Sequence, residues 1–307
     1  MKVLGFIMAF NDAEVIDRSV KALLDQTYPL KEILLVDNAS TDGTVERSFP
    51  EAVTVISHPE NRGTAGAVTT GFQYALNKKY DWIWIIDADS APRRDALEKL
   101  LSLYKTFTPG VQAQTRLVAS LPVEFSDQNQ NHGIVFSPTK MMDRVRPQPG
   151  HEYYECDVAM WSGSLFRLEA VRQIGFPSSD YFADWVEIEY GYRGRKFGYK
   201  AFVCLESIVE HNIGGQSMTF TSYRFGPLSL RMFEFSPLRC YYETRNRLYF
   251  SLYEYKERNF VVARRTLVFA IRFMLNFLLR PKSHKKQIIA CLRGFWDGIF
   301  KNMHHRY

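Results

Sequence analysis

The stretch "WIWIIDADSAP", residues 82–92, is an apolar run that ends in two aspartates separated by one alanine. A run of this length and composition predicts a buried β-strand. Because side chains alternate along a strand, Asp87 and Asp89 are predicted to project to the same side, close enough to share one cation. Two bare carboxylates so placed repel each other, and a divalent Mg²⁺ or Mn²⁺ ion relieves that repulsion. The alternative is that Asp87 ends the strand and Asp89 or Ser90 caps the helix predicted around "RRDALEKLLSLY".

Three further apolar runs precede this strand, and each also predicts a buried strand that ends in polar residues. They are "VLGFIMAF", "EILLVDN" and "VTVISH", and helix-like segments at 12–26, 43–48 and 63–78 separate the strands. The alternation of strand and helix predicts right-handed βαβ units and an α/β fold with a parallel sheet covered on both faces. In such sheets ligands bind at the carboxyl ends of the strands, where this chain places Asn11, Asp37, Asn38, His58, Asp87 and Asp89.

The loops after the second and third strands are rich in small and polar residues. They read "VDNASTDGT", residues 36–44, and "ENRGTAGAVTTGF", residues 60–72. Asn61, Arg62 and Gly63 precede a predicted helix, whose free backbone N–H groups suit an anion. The alternative for each loop is a turn with a helix cap. The chain has no GxxxxGK[ST] motif, and its glycines do not have the spacing of a dinucleotide-binding fingerprint.

The composition limits the number of domains and indicates the redox environment of the protein. The 307 residues are 46% hydrophobic, which is enough for a full core in one large domain or one domain with an appendage. The cysteines lie far apart, without a CxxC pair, and no secretory leader precedes the first strand. We therefore expect a reducing, cytosolic setting.

The net charge of +6 divides unevenly along the chain. Residues 236–307 hold 15 Lys and Arg against 4 Asp and Glu, which leaves 24 against 29 for residues 1–235. This asymmetry predicts a basic C-terminal extension that faces a negative partner.

The extension also has helical periodicity. In "NFVVARRTLVFAIRFMLNFLLR", residues 259–280, a polar stripe holds Arg264, Arg265 and Arg272, and these arginines disfavour a membrane-spanning helix. A basic amphipathic helix is typical of a helix that lies on anionic lipid, and Phe295 and Trp296 further along would sit at the same interface. The alternative is a helical hairpin packed on the first domain or in a subunit interface. Nucleic acid is not expected as a partner, because the basic residues alternate with large aliphatic side chains.

The motifs "FIMAFND", "LLVDNASTDGT", "ENRGTAGA" and "WIIDADS", in this order, resemble the nucleotide-sugar-binding half of the family 2 glycosyltransferases. The resemblance continues through "WSGSLFR", "DWVEIEYGYR" and "EHNIGG", and in particular it is similar to the rhamnosyl- and galactofuranosyltransferases of bacterial polysaccharide synthesis. It implies a GT-A fold, which is a Rossmann-like nucleotide-diphospho-sugar transferase domain, at 1–235. A nucleotide-binding half at 1–110, an acceptor half at 111–235 and a helical extension at 236–307 are expected.

The resemblance also assigns roles to residues. It implies a metal site of Asp87, Asp89 and His211, with Mn²⁺ somewhat favoured over Mg²⁺. The donor sugar and the acceptor are expected near Trp161, Ser162, Gly163 and Ser164, although "WSGSLFR" also fits a strand packed tightly against a helix. Nucleotide binding is implied for Phe10, Asn11, Asp37, Asn38, Asn61, Arg62 and Asp87.

An inverting transfer needs a base that removes the proton of the acceptor hydroxyl. The segment "ADWVEIEYGYR" offers three acids, which we rank Glu187, then Asp184, then Glu189. The family usually has aspartate where this chain has Glu187, two residues before Glu189, so Asp184 stays an alternative. At least one of the three is expected only to favour the N-terminal dipole of a helix, and Arg193 is expected to pair with Glu189 on the surface.

The predicted function is metal-dependent, inverting transfer of a sugar from a UDP- or dTDP-linked donor to a hydroxyl of a lipid-linked glycan. Rhamnose or galactofuranose is favoured, and the expected location is the cytoplasmic face of the cell membrane, as a peripheral protein. A nucleotidyltransferase would also use paired carboxylates, but it normally has a basic, glycine-rich signature near the first strand, and "FIMAFNDAEVI" has none. A non-catalytic membrane module that binds nucleotide sugars is the other alternative.

Overall fold

The structure is a computed structural model that describes residues 1–124, 133–145, 147–211, 219–225, 228–257, 260–278 and 284–303. The chain forms two compact units. The first comprises Met1–Val135, Arg144–Ser178 and Glu187–Asn212, and the second comprises Phe136–Asp143, Ser179–Val186 and Ile213–Tyr307. This division by compactness differs from the functional boundary expected at 235, which stays a prediction.

Strands and helices alternate in the first half of the chain, and helices dominate its end. From the N-terminus to residue 114 the elements are β1 (Val3–Ala9), α1 (Ile16–Leu24), β2 (Ile33–Asp37), β3 (Val53–Ser57), α2 (Gly63–Asn77), β4 (Trp82–Asp87), β5 (Ser90–Pro92), α3 (Ala96–Thr106) and α4 (Pro109–Gln114). There follow β6 (Thr115–Glu124), β7 (Ile134–Ser137), β8 (Met141–Arg144), β9 (Tyr153–Cys156), β10 (Ser164–Arg167), α5 (Leu168–Ile174), α6 (Val186–Lys196) and β11 (Lys200–His211). The last elements are β12 (Thr219–Phe225), β13 (Leu228–Glu234), α7 (Pro237–Tyr249), a π-helical turn (Phe250–Glu254), α8 (Phe260–Leu278) and α9 (Lys285–Ile299).

A nine-stranded sheet forms the centre of the first unit. Its order is β3-β2-β1-β4-β10-β6-β11-β5, and β9 pairs with β11. The strands β1 to β4 are parallel to one another, as the sequence predicts, whereas β10 runs antiparallel between β4 and β6. The expectation that all four early strands are buried is wrong for β3, which is half-exposed because it lies at the edge of the sheet.

Two of the three helix predictions in this region hold. The helix α2 is confirmed at Gly63–Asn77, and α1 is confirmed but begins at Ile16. Residues 43–48 form turns instead of the predicted short helix.

The core of the first unit lies where α1 and α3 pack on the sheet. The central strands contribute Ile7, Leu35 and Trp84, and the helices contribute Val20 and Leu97, all of them at most 4% exposed. Burial of each such side chain contributes roughly 1.5–3 kcal/mol, so this layer holds the ends of β1, β2 and β4 in a fixed arrangement.

The second unit is built mainly from α7, α8 and α9. Its core joins Phe182 to Tyr241 and Tyr242 of α7, Phe277 of α8 and Cys291 of α9. None of the helices among the described residues is long and apolar enough to cross a membrane.

Two glycines of α9 let its backbone touch α7. A Cβ atom at Gly294 would clash with the carbonyl oxygen of Tyr241, and one at Gly298 would lie 2.7 Å from that of Arg245. The spacing of four residues puts both glycines on one face of the helix. The two helices therefore pack at main-chain contact.

The segment "RNRLYF" in α7 begins with a buried arginine, Arg245. Arg245 is fully buried, and its guanidinium donates hydrogen bonds to Asn246 Oδ1 at 2.8 Å and to the Asp180 carbonyl at 2.5 Å. The arginine satisfies buried oxygens within the second unit and has a structural role.

A half-buried carboxyl in α7, that of Glu243, gives the second unit a pH-dependent stability. Glu243 accepts a hydrogen bond from Trp185 Nε1 at 2.8 Å and pairs with Arg247. Burial, together with the charge of Asp184, raises the pKa of Glu243 to about 7, against the opposing effect of Arg247 and Arg239. Because the folded chain holds this proton more tightly than the unfolded chain, the Glu243 contribution to the free energy of unfolding falls as pH rises from about 4.5 to about 7.

We expect Glu243→Gln to flatten this dependence. Between about pH 5 and about pH 8 the wild type should lose roughly 2 kcal/mol relative to the variant, measured by chemical denaturation at both pH values. Glu169→Gln, at a half-exposed site in α5, is the control and should leave the dependence unchanged. A variant whose stability varies with pH as strongly as that of the wild type would show that Glu243 does not titrate in this range.

Candidate functional site

Three parallel strands end side by side at one edge of the sheet. In the register of β1 with its neighbours, Ala9 pairs with Asp37 of β2 and Met8 pairs with Asp87 of β4. With strands about 4.8 Å apart, Asp37 and Asp87 lie about 10 Å from each other across the end of β1. The predicted crevice at the carboxyl ends of these strands therefore has acidic groups on both sides.

The pairing of β5 with β11 completes a cluster of three ligating residues. His211, the last residue of β11, lies opposite Ser90, the first residue of β5, so its imidazole reaches the loop that carries Asp89. His211 Nδ1 is 3.3 Å from Asp89 Oδ1. One ligating atom from each of Asp87, Asp89 and His211 lies within 4.8 Å of the others, so the structure brings the three predicted metal ligands together.

The electrostatics of this cluster favour a cation. Burial raises the pKa of Asp87 well above its usual value, and the charges of Asp89, Glu187 and Asp12 raise it further. Asp87 Oδ1 is buried, and no group in the described part of the chain donates a hydrogen bond to it. Burial lowers the pKa of His211, which favours the neutral imidazole that binds metals. An unpaired carboxylate oxygen, a second carboxylate and a neutral imidazole fit a divalent metal such as Mn²⁺ or Mg²⁺.

Two buried serines hold the cluster in place. Ser90 Oγ lies 2.6 Å from His211 Nδ1 and 3.4 Å from Asp89 Oδ1. Ser162 Oγ donates to Ser90 Oγ at 2.8 Å and accepts from the backbone N–H of Asp87 at 3.0 Å. This network orients the histidine and the aspartate loop, in the way that outer hydrogen bonds usually orient metal ligands. The sequence suggested Ser90 only as a helix cap.

Asp12 is a further residue of the site that the sequence did not single out. Its Oδ2 accepts a hydrogen bond from the Phe10 N–H at 2.8 Å, and burial is the main cause that raises its pKa to about 6. The charges of Asp89, Asp42 and Asp37 raise that pKa further. Asp12 lies three residues after the end of β1 and four before α1, and the sequence pattern indicated that it begins the helix.

The predicted nucleotide pocket begins with the loops after β1 and β2. Phe10 is 46% exposed. Asn11 has a left-handed backbone, φ 59°, and its Oδ1 accepts from the Thr41 N–H at 2.8 Å. Asp37 is buried, and its carboxylate accepts from the Ser40 N–H at 3.2 Å. These bonds fix the two loops to each other and leave the ring of Phe10 open at the edge of the crevice.

The side chains of Asn38 and Asn61 form hydrogen bonds with the backbone at the start of α2. Asn38 Oδ1 accepts from the Arg62 N–H at 2.9 Å and lies 3.0 Å from His58 Nδ1, while its amide donates to the Gly63 carbonyl. Asn61 Oδ1 accepts from the Gly63 N–H at 2.8 Å. Both asparagines therefore position the loop, whereas the Arg62 side chain is exposed. Contact of the three residues with a nucleotide stays a prediction.

The segment Trp161, Ser162, Gly163 and Ser164 was expected near the donor sugar and the acceptor, and that contact stays a prediction. All four residues are buried, and the last of them, Ser164, begins β10, which lies inside the sheet between β4 and β6. The ring of Trp161 packs edge-on against Phe166 and Tyr190. Gly163 has φ 88°, and a Cβ there would lie 2.8 Å from Val209. The segment is tightly packed, and Ser162 contacts the metal-ligand network through Ser90 and the backbone of Asp87.

Of the acids in α6, Glu187 is electrostatically coupled to the cluster. It is the second residue of the helix, and its negative charge contributes to the raised pKa of Asp87. The position is half-buried within the first unit. Glu187 therefore lies within electrostatic range of the cluster, and its role as the base stays a prediction.

Glu189, the other acid of α6, forms an ion pair within the first unit. Its two oxygens accept hydrogen bonds from Arg193 Nε at 2.7 Å and Nη2 at 2.9 Å, and Arg193 also donates to the carbonyls of Ile174 and Phe176. The predicted pairing is thus present, but Glu189 is 6% exposed, so the pair is not on the surface as expected. The pair joins α6 to the end of α5.

We expect Glu189→Gln to reduce the stability of the protein without reducing the rate of sugar transfer. Removing one partner of a largely buried ion pair should cost about 2 kcal/mol or more of the free energy of unfolding, measured by denaturation. The matched control is Glu169→Gln, which breaks the half-exposed pair with Arg172 and should cost less than about 0.5 kcal/mol. If Glu189→Gln were as stable as the wild type and inactive, Glu189 would instead be a catalytic residue.

Asp184, the second base candidate, belongs to the second unit. Its Oδ1 accepts from Arg239 Nε at 3.1 Å, and burial raises its pKa although Arg239 opposes the rise. Asp184 and Trp185 have φ angles of 51° and 68°, in the left-handed region, which is unfavourable for a side chain as bulky as that of Trp185. The amide of Asn246 donates to the Asp184 carbonyl at 2.9 Å and thereby holds this turn.

Comparison with known proteins extends the structural observations. The chain is 25% identical over 271 residues to the dTDP-rhamnosyl transferase RfbF of Shigella flexneri, covering 85% of each protein. It is 24% identical over 225 residues to the galactofuranosyltransferase GlfT1 of Mycobacterium tuberculosis, covering 69% of this chain and 70% of that protein.

Among solved structures, the fold is similar to that of GalNAc-T7 with UDP, GalNAc and Mn²⁺, with a TM-score of 0.56 at 17% identity. The match covers 68% of this chain and 42% of the GalNAc-T7 chain, so this chain spans less than half of the length of that protein. The GT-A fold predicted from the sequence is confirmed. Residues 6–175, more than half of the chain, match the family model for Glycosyl transferase family 2. The chain belongs to glycosyl transferase family 2, and it is a glycosyltransferase.

Proposed function

We propose that the protein transfers a sugar, with inversion and with the help of a divalent metal, from a nucleoside diphosphate to a hydroxyl of a lipid-linked glycan. The observation that carries this proposal is the cluster of Asp87, Asp89 and His211 at the carboxyl ends of the parallel strands. It provides an acidic, partly unpaired ligand set next to a crevice between strand ends, where such sheets bind ligands. The family match makes transfer of a sugar the reaction, rather than nucleotidyl transfer or binding without catalysis.

The metal would be held by Asp87, Asp89 and His211, and Mn²⁺ or Mg²⁺ suits this set. When bound, it would neutralise the charge that develops on the departing diphosphate. Ser90 and Ser162 keep the histidine and the Asp89 loop oriented. The exposed ring of Phe10 and the loop held by Asn11 and Asp37 would form the nucleotide pocket.

Glu187 is the proposed base. Its carboxylate takes the proton of the acceptor hydroxyl while that oxygen attacks the anomeric carbon from the face opposite the diphosphate. The bond between the anomeric carbon and the diphosphate oxygen breaks with its electron pair on the diphosphate, so the configuration inverts. Glutamate reaches about one methylene further than the aspartate that the family usually has here, and the acceptor would sit correspondingly further from α6.

The proposed donors are dTDP-rhamnose and UDP-galactofuranose, in polysaccharide synthesis at the cell envelope. Their support is the similarity to a dTDP-rhamnosyl transferase and to a galactofuranosyltransferase over more than two thirds of the chain.

Calorimetric titration of the protein with UDP, dTDP and GDP, each with and without Mn²⁺, tests the donor site. We expect binding that depends on the metal and prefers UDP or dTDP over GDP. The preferred nucleotide then selects the sugar donor whose hydrolysis is measured without acceptor. Binding of none of the three nucleotides in the presence of Mn²⁺ would refute the donor site proposed here.

A further inference from the structure

The helices α8 and α9 keep a second apolar surface after they have packed into the second unit. On α9, Ile289, Leu292, Trp296 and Phe300 at its C-terminal end are 49–64% exposed. Their spacings of three, four and four residues put them on one side of the helix. The residues that face α7, among them Ala290, Cys291 and Gly294, occupy the other side and are buried. We call this exposed row the α9 face.

Helix α8 has a row of the same kind. Phe260, Leu267, Ile271 and Leu278 are 43–81% exposed and follow one another at seven, four and seven residues, which is one line along the helix. Val262 and Phe277 point the other way, and both are buried. Packing of α8 and α9 within the second unit therefore leaves an apolar row of each helix exposed in the part of the chain that the structure describes.

The charged residues of α8 and α9 that lie beside these rows are positive. Lys285, Lys286 and Arg293 are exposed, and at 100° per residue they fall within the same arc of α9 as the apolar row. Arg264 lies beside the row of α8 in the same way. Between residues 258 and 307 the sequence has one acid, Asp297, and it is buried and accepts a hydrogen bond from Tyr241 Oη at 2.8 Å. Asp297 therefore does not offset the positive surface.

We propose that the α9 face, with the exposed row of α8, binds the surface of a bilayer that contains anionic lipid. Large apolar side chains would enter the boundary between headgroups and acyl chains, while the cations beside them contact lipid phosphates. A second copy of this chain fits less well, because pairing of two such faces brings like charges together. The length of α9, about 22 Å at 1.5 Å per residue, suits a helix that lies in the plane of the interface. Bound in this way, the protein would be a peripheral protein on the anionic cytoplasmic face of the membrane. Such binding does not depend on the transfer reaction.

Trp296 is a built-in probe for this surface. It is 64% exposed, whereas Trp82, Trp84, Trp161 and Trp185 are at most 4% exposed. Quenching of tryptophan fluorescence by brominated lipid therefore reports on Trp296. We expect the full chain to float with vesicles of phosphatidylcholine and phosphatidylglycerol, to lose that binding at high salt, and to be quenched when the vesicles carry bromine.

Variants separate the two kinds of contact. Replacing Lys285, Lys286 and Arg293 together with glutamine should weaken partitioning on the order of 100-fold. The double change Leu292→Ser and Trp296→Ser should weaken it at least about tenfold. The matched controls lie in the first unit: glutamine at the exposed Lys21, Lys79 and Lys105, and Phe197→Ser at a site that is 56% exposed. Neither control should change vesicle binding by more than about twofold.

Four results would overturn the proposal. The full chain could fail to bind anionic vesicles, it could bind neutral vesicles equally well, or the control variants could weaken binding as much as those of α9. A dimer in sedimentation experiments that the α9 variants dissociate would assign the face to a second copy instead. Donor hydrolysis in solution is measured in parallel, so a wild-type chain that hydrolyses the donor but does not bind anionic vesicles would refute this inference and leave the proposed reaction standing.

Discussion

Replacing Asp89 with asparagine is expected to abolish Mn²⁺-dependent binding of the nucleotide and to lower turnover by at least about 1,000-fold, because a metal contributes several kcal/mol to this kind of transition state. Asparagine keeps the size of the side chain but removes one of two negative charges from the cluster. It also leaves one oxygen to face His211 Nδ1, which lies 3.3 Å from the wild-type carboxylate. The measurement is calorimetric titration with Mn²⁺ and UDP or dTDP, followed by turnover of the preferred donor.

The control for this variant is Asp95→Asn. Asp95 lies six residues further along, before α3, and forms a partly exposed ion pair with Lys99. Because it is outside the cluster, its replacement should leave metal and nucleotide affinity within about twofold of the wild type, since such surface pairs contribute little. Wild-type metal-dependent binding in Asp89→Asn would refute the metal site, and an equal loss in the control would point to a general effect of removing acidic charge.

Glu187→Gln is expected to lower kcat by about 100- to 10,000-fold while nucleotide binding with Mn²⁺ stays within about twofold of the wild type. Glutamine cannot take the proton of the acceptor hydroxyl, but it preserves the shape of the side chain. The charge of Glu187 raises the pKa of Asp87, so its removal also eases the repulsion at the cluster and should not weaken metal binding. Rapid-quench kinetics with a saturating donor would separate the chemical step from binding.

Asp184→Asn provides the contrasting variant. Asp184 is engaged by Arg239, and the loss of that pair should reduce stability more than turnover. If Asp184→Asn lost turnover at unchanged stability while Glu187→Gln kept it, the assignment of the base would be reversed.

The early part of the fold could be read from the sequence because its strands are buried on both faces. Continuous apolar runs such as residues 82–86 leave little choice of structure, and the polar residue that ends each run marks the carboxyl edge of the sheet. The edge strand β3 has the same kind of sequence but half-exposed side chains, because its place in the order of strands is a tertiary property.

The metal cluster could be anticipated only in part. Asp87 and Asp89 are neighbours in sequence, but His211 reaches them through the pairing of β5 with β11, which the sequence does not encode locally. Asp12 was missed for the same reason, since its pKa of about 6 arises from burial and from carboxylates on other loops. The small residues around Gly163 serve the packing of β10 inside the sheet, and tight packing and ligand contact select the same small side chains.

The main-chain contact of α9 with α7 at Gly294 and Gly298 has a consequence for how the protein would attach to a bilayer. A peptide that folds only when it reaches lipid must spend part of its binding free energy on ordering its backbone. In this protein α9 is already folded against α7, so lipid binding would cost little free energy for ordering the backbone of α9. Attachment should therefore leave the far-ultraviolet circular dichroism spectrum almost unchanged and should reverse rapidly when the salt concentration is raised.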